Sequence, residues 1–354
     1  GSNDPDAIKA WITEKQSTAL PTSAMQLASL PRPEPKSTEV VIRVVAAGLN
    51  PIDYKRSNYG FCTFPAVAGV DGAGVVETVG AGVEAAANAA GFAPLSVGER
   101  VCFHLDVSKQ FGSFAEMCVC EASAVVRIPD QLSFTDAAAV PCAGWTAYTA
   151  LFSKLKIETN RTILIAGASG GVGTYAVQLA KKMGLFVIAV ASTSSLSYLK
   201  DTLQCDMTID YTQENIVERT LLATKGVGVD YVLDLVGLES GLVNAQTLRF
   251  GGSLCQVTGG AVKCDESFFR RQISVHHVYL NGYHLDDSNR HVLRQIGEMM
   301  VSMIQQGSLK VAETEVIKFE QIPAALEKMS DRHSRGKIVA LIHQPEKKTH
   351  QPAA

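Results

Sequence analysis

Thr162-Ile163-Leu164-Ile165-Ala166-Gly167-Ala168-Ser169-Gly170-Gly171-Val172-Gly173 is the stretch from which the rest of the chain is read. Thr162–Ala168 is an apolar run of strand length that ends in glycines. Over Thr174–Met183 the spacing of Ala176, Val177, Ala180 and Met183 predicts a helix with one buried face, and Gly184 stops it. Strand, glycine turn and helix in that order let backbone approach a phosphate. They also aim the free N–H groups and partial positive charge of a helix start at it. A G-x-x-G-x-x-G alone says little; between a buried strand and an amphipathic helix it predicts a dinucleotide site. The plainer alternative is a glycine-rich turn with no ligand.

Downstream the alternation continues. Phe186–Ala191, Asp230–Val236, Leu254–Thr258 and Val275–Leu280 read as further strands. Near-continuous apolar strands alternating with helices predict an α/β fold, a doubly wound parallel sheet buried on both faces. Upstream the pattern differs. Glu39–Val45, Gly72–Val79 and Glu99–Phe103 are short strand-like runs, with more in Val119–Ile128, and Gly48, Gly69, Gly72, Gly74, Gly80, Gly82 and Gly98 punctuate them. This predicts a compact β-barrel-like domain, with the Ala-rich Glu84–Leu95 as a surface loop or short helix. Thr135–Leu151 reads as helical. After Leu280 the chain predicts a loop, a helix over about Ser288–Gln306, and strands at Glu315–Phe319 and Lys337–Ile342. The expected domains are 1–140 with 281–354, and 141–280.

Composition excludes several classes. A chain of 354 residues exceeds what one core normally supports, so two domains are expected. The net charge of −3 gives no general attraction to nucleic acid or to a membrane surface. No apolar run is long enough to span a bilayer, and the N-terminus shows no basic region followed by an apolar one; a cytoplasmic location is expected. The eight cysteines form no C-x-x-C pair, which predicts reduced thiols.

The end of the second strand bears on the coenzyme. An NAD site normally places Asp or Glu there for the ribose 2′-hydroxyl. Here the chain reads Ala191-Ser192-Thr193-Ser194-Ser195, with no acid before Asp201. Hydroxyls can donate to a 2′-phosphate that a carboxylate would repel, so NADP(H) is the expected cofactor. Alternatively, these serines merely cap the next helix.

Four stretches together resemble the medium-chain dehydrogenase/reductase superfamily: Gly48–Asp53 (G-L-N-P-I-D), Ala68–Val76 (A-G-V-D-G-A-G-V-V), Ala166–Lys181 and Asp234–Gly237 (D-L-V-G). The likeness runs from about residue 8 to 342 and is greatest to the zinc-free quinone oxidoreductase and enoyl reductase branches. It implies a Rossmann domain plus a GroES-like β-barrel catalytic domain, with the active site in the cleft between them. It also implies that Thr146 approaches the nicotinamide and that Tyr211 lies near the adenosine phosphate. Val236, Gly237, Thr258 and Gly259 line the nucleotide on this likeness. Lys337 and the Asn281–Leu285 loop, with His284 and Leu285, close over it. Gly167, Ser169, Gly170, Gly171, Val172 and Gly173 form the phosphate turn, with Ser192 and Thr193 near the ribose. Pairing through Rossmann-domain edges, giving a homodimer, is a further implication. One departure is that Leu196 stands where many quinone reductases carry a lysine for the 2′-phosphate.

No metal is expected. Zinc relatives use an early cysteine, a histidine in G-H-E and a third thiolate; here Ala47-Gly48 and Gly69-Val70-Asp71 fill the first two places, and only Cys142 remains. Without a Lewis acid, hydride transfer favours acceptors that spread the developing charge themselves, namely quinones and α,β-unsaturated carbonyls. The expected function is NADPH-dependent reduction of such a small electrophile. The alternatives are an enoyl-thioester reductase of the same fold, a catalytically silent nucleotide-binding regulator and a zinc alcohol dehydrogenase. Asn50 has two compatible readings: cap of a helix begun by Pro51, and hydrogen-bond partner of substrate or cofactor. Lys55, Tyr54 and Tyr59 are the nearest candidates to donate a proton or stabilise an oxyanion, Lys55 first. Some enoyl reductases use a tyrosine where Phe61 stands here.

Overall fold

A computed structural model describes residues 7–331 and 335–343. The chain forms two compact units. Among the described residues, unit 1 comprises 7–139, 315–331 and 338–343, and unit 2 comprises 140–314 and 335–337.

Unit 2 is built on a six-stranded parallel sheet. Across it run Met207–Asp210, Phe186–Ala191, Thr162–Ala166, Val229–Asp234, Leu248–Gln256 and Ser274–His277. In chain order that is third, second, first, fourth, fifth, sixth, the doubly wound arrangement in which the order reverses beside the first strand. Ile163, Leu164 and Ile165 are fully buried, as are Val187, Ile188, Val232 and Leu233. A strand apolar on both faces needs cover on both, and the helices supply it. The helix Gly171–Lys182 buries Tyr175, Ala176, Val177, Leu179 and Ala180.

Two expectations are corrected. Residues 281–314 belong to unit 2, not to the first domain. The helix Asp287–Gln305 carries the reason: it buries Leu293, Ile296 and Met300, and the Met300 methyl lies where a side chain on Gly144 would begin. The single helix expected over Thr135–Leu151 is interrupted. Phe134–Ala138 is α-helical, and wider π-type turns follow at Pro141–Trp145 and Thr149–Leu155. Pro141 has no N–H to continue the ladder.

Unit 1 holds a largely antiparallel sheet around Glu39–Leu49, flanked by Asp71–Val79 and Met117–Glu121 and, near its C-terminal end, by Lys337–Leu341. Arg100–His104 pairs with Asp71–Val79. A smaller sheet pairs Ala7–Thr13 with Met25–Pro31. The Ala-rich insertion contains a helix, Val83–Ala89.

Candidate nucleotide and acceptor sites

The glycine turn of unit 2 is shaped by hydrogen bonds that only its backbone can make. Gly167 adopts φ 77°, a left-handed conformation glycine takes without strain. Its N–H and that of Ala168 both donate to the Val190 carbonyl, at 3.1 and 3.2 Å. The chain then enters the helix at Gly170, where no side chain caps the first turn. The N–H groups of that turn lack the partners a cap would give, which suits an anion.

The empty space is equally informative. A Cβ on Gly170 would meet only the Gly167 carbonyl oxygen, at 3.4 Å, and one on Gly237 would meet nothing within 4 Å. Gly173 differs: its Cβ would lie 2.4 Å from the Gly167 oxygen, so this glycine lets helix and strand pack.

Neighbouring strand ends complete the cradle. Asp234 is fully buried and ends its strand; its Oδ1 accepts the Val236 and Gly237 N–H groups, each at 3.0 Å, and fixes that turn. The hydroxyl of Ser240 and the amide of Asn244 donate to Oδ2. Val236 lies beside Gly167, and Gly259 packs on Gly237 so closely that its Cβ would sit 2.6 Å from the Leu238 nitrogen. The Thr258 hydroxyl is buried without a hydrogen-bond partner. Lys337 is also buried; its stem lies over Gly171, and the adjacent Gly336 bridges to Gly170. Uncapped helix, glycines facing open space and an unsatisfied hydroxyl fit a dinucleotide.

The remaining predicted cofactor residues are spread more widely. Thr146 is buried three residues beyond Ala143, which itself contacts the Gly171 position. His284 is buried, with its carbonyl accepting from Arg290 at 3.1 Å, whereas Leu285 is 67% exposed. Ser192 and Thr193 follow the second strand, and Tyr211, 58% exposed, donates its N–H to the Ala191 carbonyl. Sequence reading missed Asp210. It lies opposite Ala191 in the parallel register, and its carboxylate accepts the Thr193 hydroxyl. In this arrangement the one proton of that hydroxyl goes to Asp210. The signal was one residue away, in Ile209-Asp210-Tyr211.

In unit 1, Asn50 precedes the helix Pro51–Tyr59. The Asn50 N–H donates to Asp53 Oδ2 at 2.7 Å, and the Val70 N–H to Asp53 Oδ1 at 3.0 Å. The Asn50 amide turns inward and donates to Asp71 Oδ2 at 2.9 Å. Asn50, Asp53, Asp71 and His104 are all buried, so the amide is held in one orientation. Tyr54 and Lys55 are half-buried on the same helix. Tyr59 is 64% exposed and stacks on Phe61, with ring centroids 5.4 Å apart.

An Asp71 carboxylate oxygen and a His104 ring nitrogen lie within 4.8 Å. Both can ligate a metal, and the sequence reading counted neither. Unit 1 thus offers two such groups where a catalytic zinc takes three protein ligands. None of the eight cysteines forms a disulfide; Cys118 and Cys120 are buried strand residues. No described helix is long and apolar enough to cross a membrane.

Comparison with known proteins agrees with this fold. Residues 36–130 match the alcohol dehydrogenase GroES-like domain family, and residues 203–340 the zinc-binding dehydrogenase family. The chain is 30% identical to the NADPH-dependent alkenal/one oxidoreductase, chloroplastic, of Arabidopsis thaliana, over 95% of this chain and 80% of that one. It is 38% identical to a 2-methylene-furan-3-one reductase of Solanum lycopersicum over 72% of this chain, a match spanning 63% of the tomato protein. A quinone oxidoreductase of Pseudomonas syringae pv. Tomato DC3000 superposes with TM-score 0.83 at 26% identity, covering 94% of this chain and 99% of the other. The chain belongs to the medium-chain dehydrogenase/reductase superfamily, in the branch of the quinone oxidoreductases and enoyl reductases.

Proposed function

We propose that the protein is an NADPH-dependent oxidoreductase that transfers hydride to a quinone or an α,β-unsaturated carbonyl without zinc. The observation that carries this reading is the uncapped helix start at Gly170, framed by glycines over open space and by the unpaired Thr258 hydroxyl. The names of the Arabidopsis and tomato relatives, an NADPH-dependent alkenal/one oxidoreductase and a 2-methylene-furan-3-one reductase, support the choice of coenzyme and acceptor.

When bound, the nicotinamide supplies the hydride. The chain's own contribution is positional and electrostatic. The first-turn N–H groups at Gly171–Gly173 hold the pyrophosphate, and Lys337 packs over the same turn. From unit 1 we assign Asn50, locked by Asp71, to orient the acceptor through its amide oxygen, and Lys55 to stabilise the oxyanion that forms as hydride arrives. Tyr54 and Tyr59 are the alternative donors. Solvent can complete protonation of a hydroquinone or enolate. We assign the protein to the cytoplasm and to a homodimer paired through sheet edges of unit 2, which its sedimentation velocity checks.

The test is NADPH oxidation by purified protein against a panel of quinones, enones and enoyl thioesters. Turnover of a quinone or enone is expected, and thioester-only turnover would move the substrate assignment. Tight NADPH binding without any turnover would make the protein a regulator. Stoichiometric zinc in wild-type protein, lost in Cys142→Ser and His104→Ala, would overturn the metal-free part.

A further inference from the structure

Asp210 closes the strand Met207–Asp210 and stands opposite Ala191, the last residue of the second strand. In this fold the adenosine ribose is read at the end of that second strand. The expected acid is missing there, and a carboxylate reaches the same place from the strand next door.

Its two oxygens do different things. Oδ1 accepts from the Thr212 N–H at 2.9 Å and the Thr212 hydroxyl at 2.6 Å, an ordinary turn in which an aspartate holds the residue two positions on. A turn needs nothing more. Oδ2 nevertheless extends to the loop after the second strand and accepts the Thr193 hydroxyl. These donors hold the Asp210 carboxyl below the usual carboxylate range, Thr193 foremost, so it stays charged at neutral pH. The surrounding charge does not cancel it. Glu214 accepts the Asp210 N–H at 2.9 Å and is itself paired with Arg219 at 2.6 Å. Ser192 and Ser194 share one contact, at 3.3 Å, and so keep one proton between them for a ligand.

Resting on the reading that unit 2 binds a nicotinamide dinucleotide, we infer that Asp210 is a coenzyme-specificity residue. Its negative charge and its capture of the Thr193 proton disfavour a 2′-phosphate and favour a 2′-hydroxyl, so NADH is admitted beside NADPH. The Thr193 oxygen can accept from a ribose hydroxyl but has no proton for a phosphate, which only accepts.

The experiment is calorimetric titration of the full chain with NADPH and with NADH, for wild type, Asp210→Asn and Thr193→Val. Wild type is expected to bind both. Removing one charge beside a phosphate should raise the ratio Kd(NADH)/Kd(NADPH) about fivefold in Asp210→Asn, chiefly through tighter NADPH. Thr193→Val should leave NADPH affinity within about twofold, because that hydroxyl donates to Asp210 and not to the ligand. A ratio that is unchanged or lowered in folded Asp210→Asn overturns the inference. So does a selective loss of NADPH affinity in Thr193→Val, a variant that answers the question even if Asp210→Asn fails to fold. Wild-type protein that binds neither nucleotide would instead defeat the functional reading, and the inference with it.

Discussion

Glycines in the two units look alike in sequence and do opposite things. In unit 1 several of them make room for the protein itself. A Cβ on Gly74 would lie 2.1 Å from the Arg43 carbonyl oxygen, one on Gly48 2.3 Å from that of Ala138, and one on Gly72 2.4 Å from Phe103 Cζ. In unit 2, Gly170 and Gly237 border space that no protein atom fills. The first kind is a packing requirement; the second leaves the backbone accessible from outside the protein. A glycine-rich run is therefore ambiguous until one asks what its missing side chain would have met, and Gly173 shows that a single motif contains both kinds.

The largest expected effect tests what the two units share, which is buried thiols. Burial pushes Cys102 and Cys118 in unit 1 far up, and Cys205 and Cys255 in unit 2 up to about 12. An unfolded thiol ionises near pH 9, while these stay protonated in the fold, so the folded state retains the proton more tightly. Their stabilising contribution is complete below that pH and is lost as pH rises through the folded values. Each should cost about 1.4 kcal/mol per pH unit. Chemical denaturation from pH 8 to 11 should thus show a steep loss, with slope reduced in Cys118→Ala and in Cys255→Ala. A flat profile would mean that the thiols are solvated and the cores looser than described.

Next comes Gly74→Ala. No side chain moves out of the way of a backbone carbonyl, so unit 1 should lose about 3 kcal/mol, at the upper end of overpacking costs. Proteolysis confined to unit 1 would check it, and a melting temperature equal to wild type would refute the reading of that glycine as packing.

Gly170→Val should do the reverse. Gly170 has an extended backbone, φ −75° and ψ 178°, that valine adopts readily, and its side chain would enter open space. Melting should be unchanged, while nucleotide affinity falls about a hundredfold, near 2.7 kcal/mol, as the side chain displaces the pyrophosphate. Equal losses in melting and binding would erase the distinction between the two kinds of glycine.

What could be read from sequence follows from locality. The strand–turn–helix at Thr162–Lys182 is legible because its signals are consecutive: an apolar run, glycines, a helical period. The central strands of the parallel sheet are legible because burial on both faces leaves no polar alternation to confuse them, whereas the edge strand Met207–Asp210, only half of it buried, carries too short an apolar run to be read. The antiparallel pair Ala7–Thr13 and Met25–Pro31 escaped notice because the second strand is mostly exposed and carries little apolar signal. The place of Asp287–Gln305 was misread because its partner, the segment around Gly144, is some 150 residues away and leaves no local mark. Asp210 was missed for the same reason. A search along the second strand cannot see a residue that the sheet register delivers from the third.

The smallest effect sharpens the comparison most. The Thr258 hydroxyl is buried and unpaired, a cost the free protein carries without structural return. Valine has the same shape without the hydroxyl. If Thr258 serves the fold, Thr258→Val should destabilise unit 2. If it is kept for the nucleotide, the variant should be more stable by about 0.5–1 kcal/mol in the free state and should bind NADPH about fivefold more weakly. The ligand-induced rise in melting temperature then shrinks from both ends, from a higher start and from a weaker complex. A packing residue gives no such paired signature, because its loss lowers the free and bound states together.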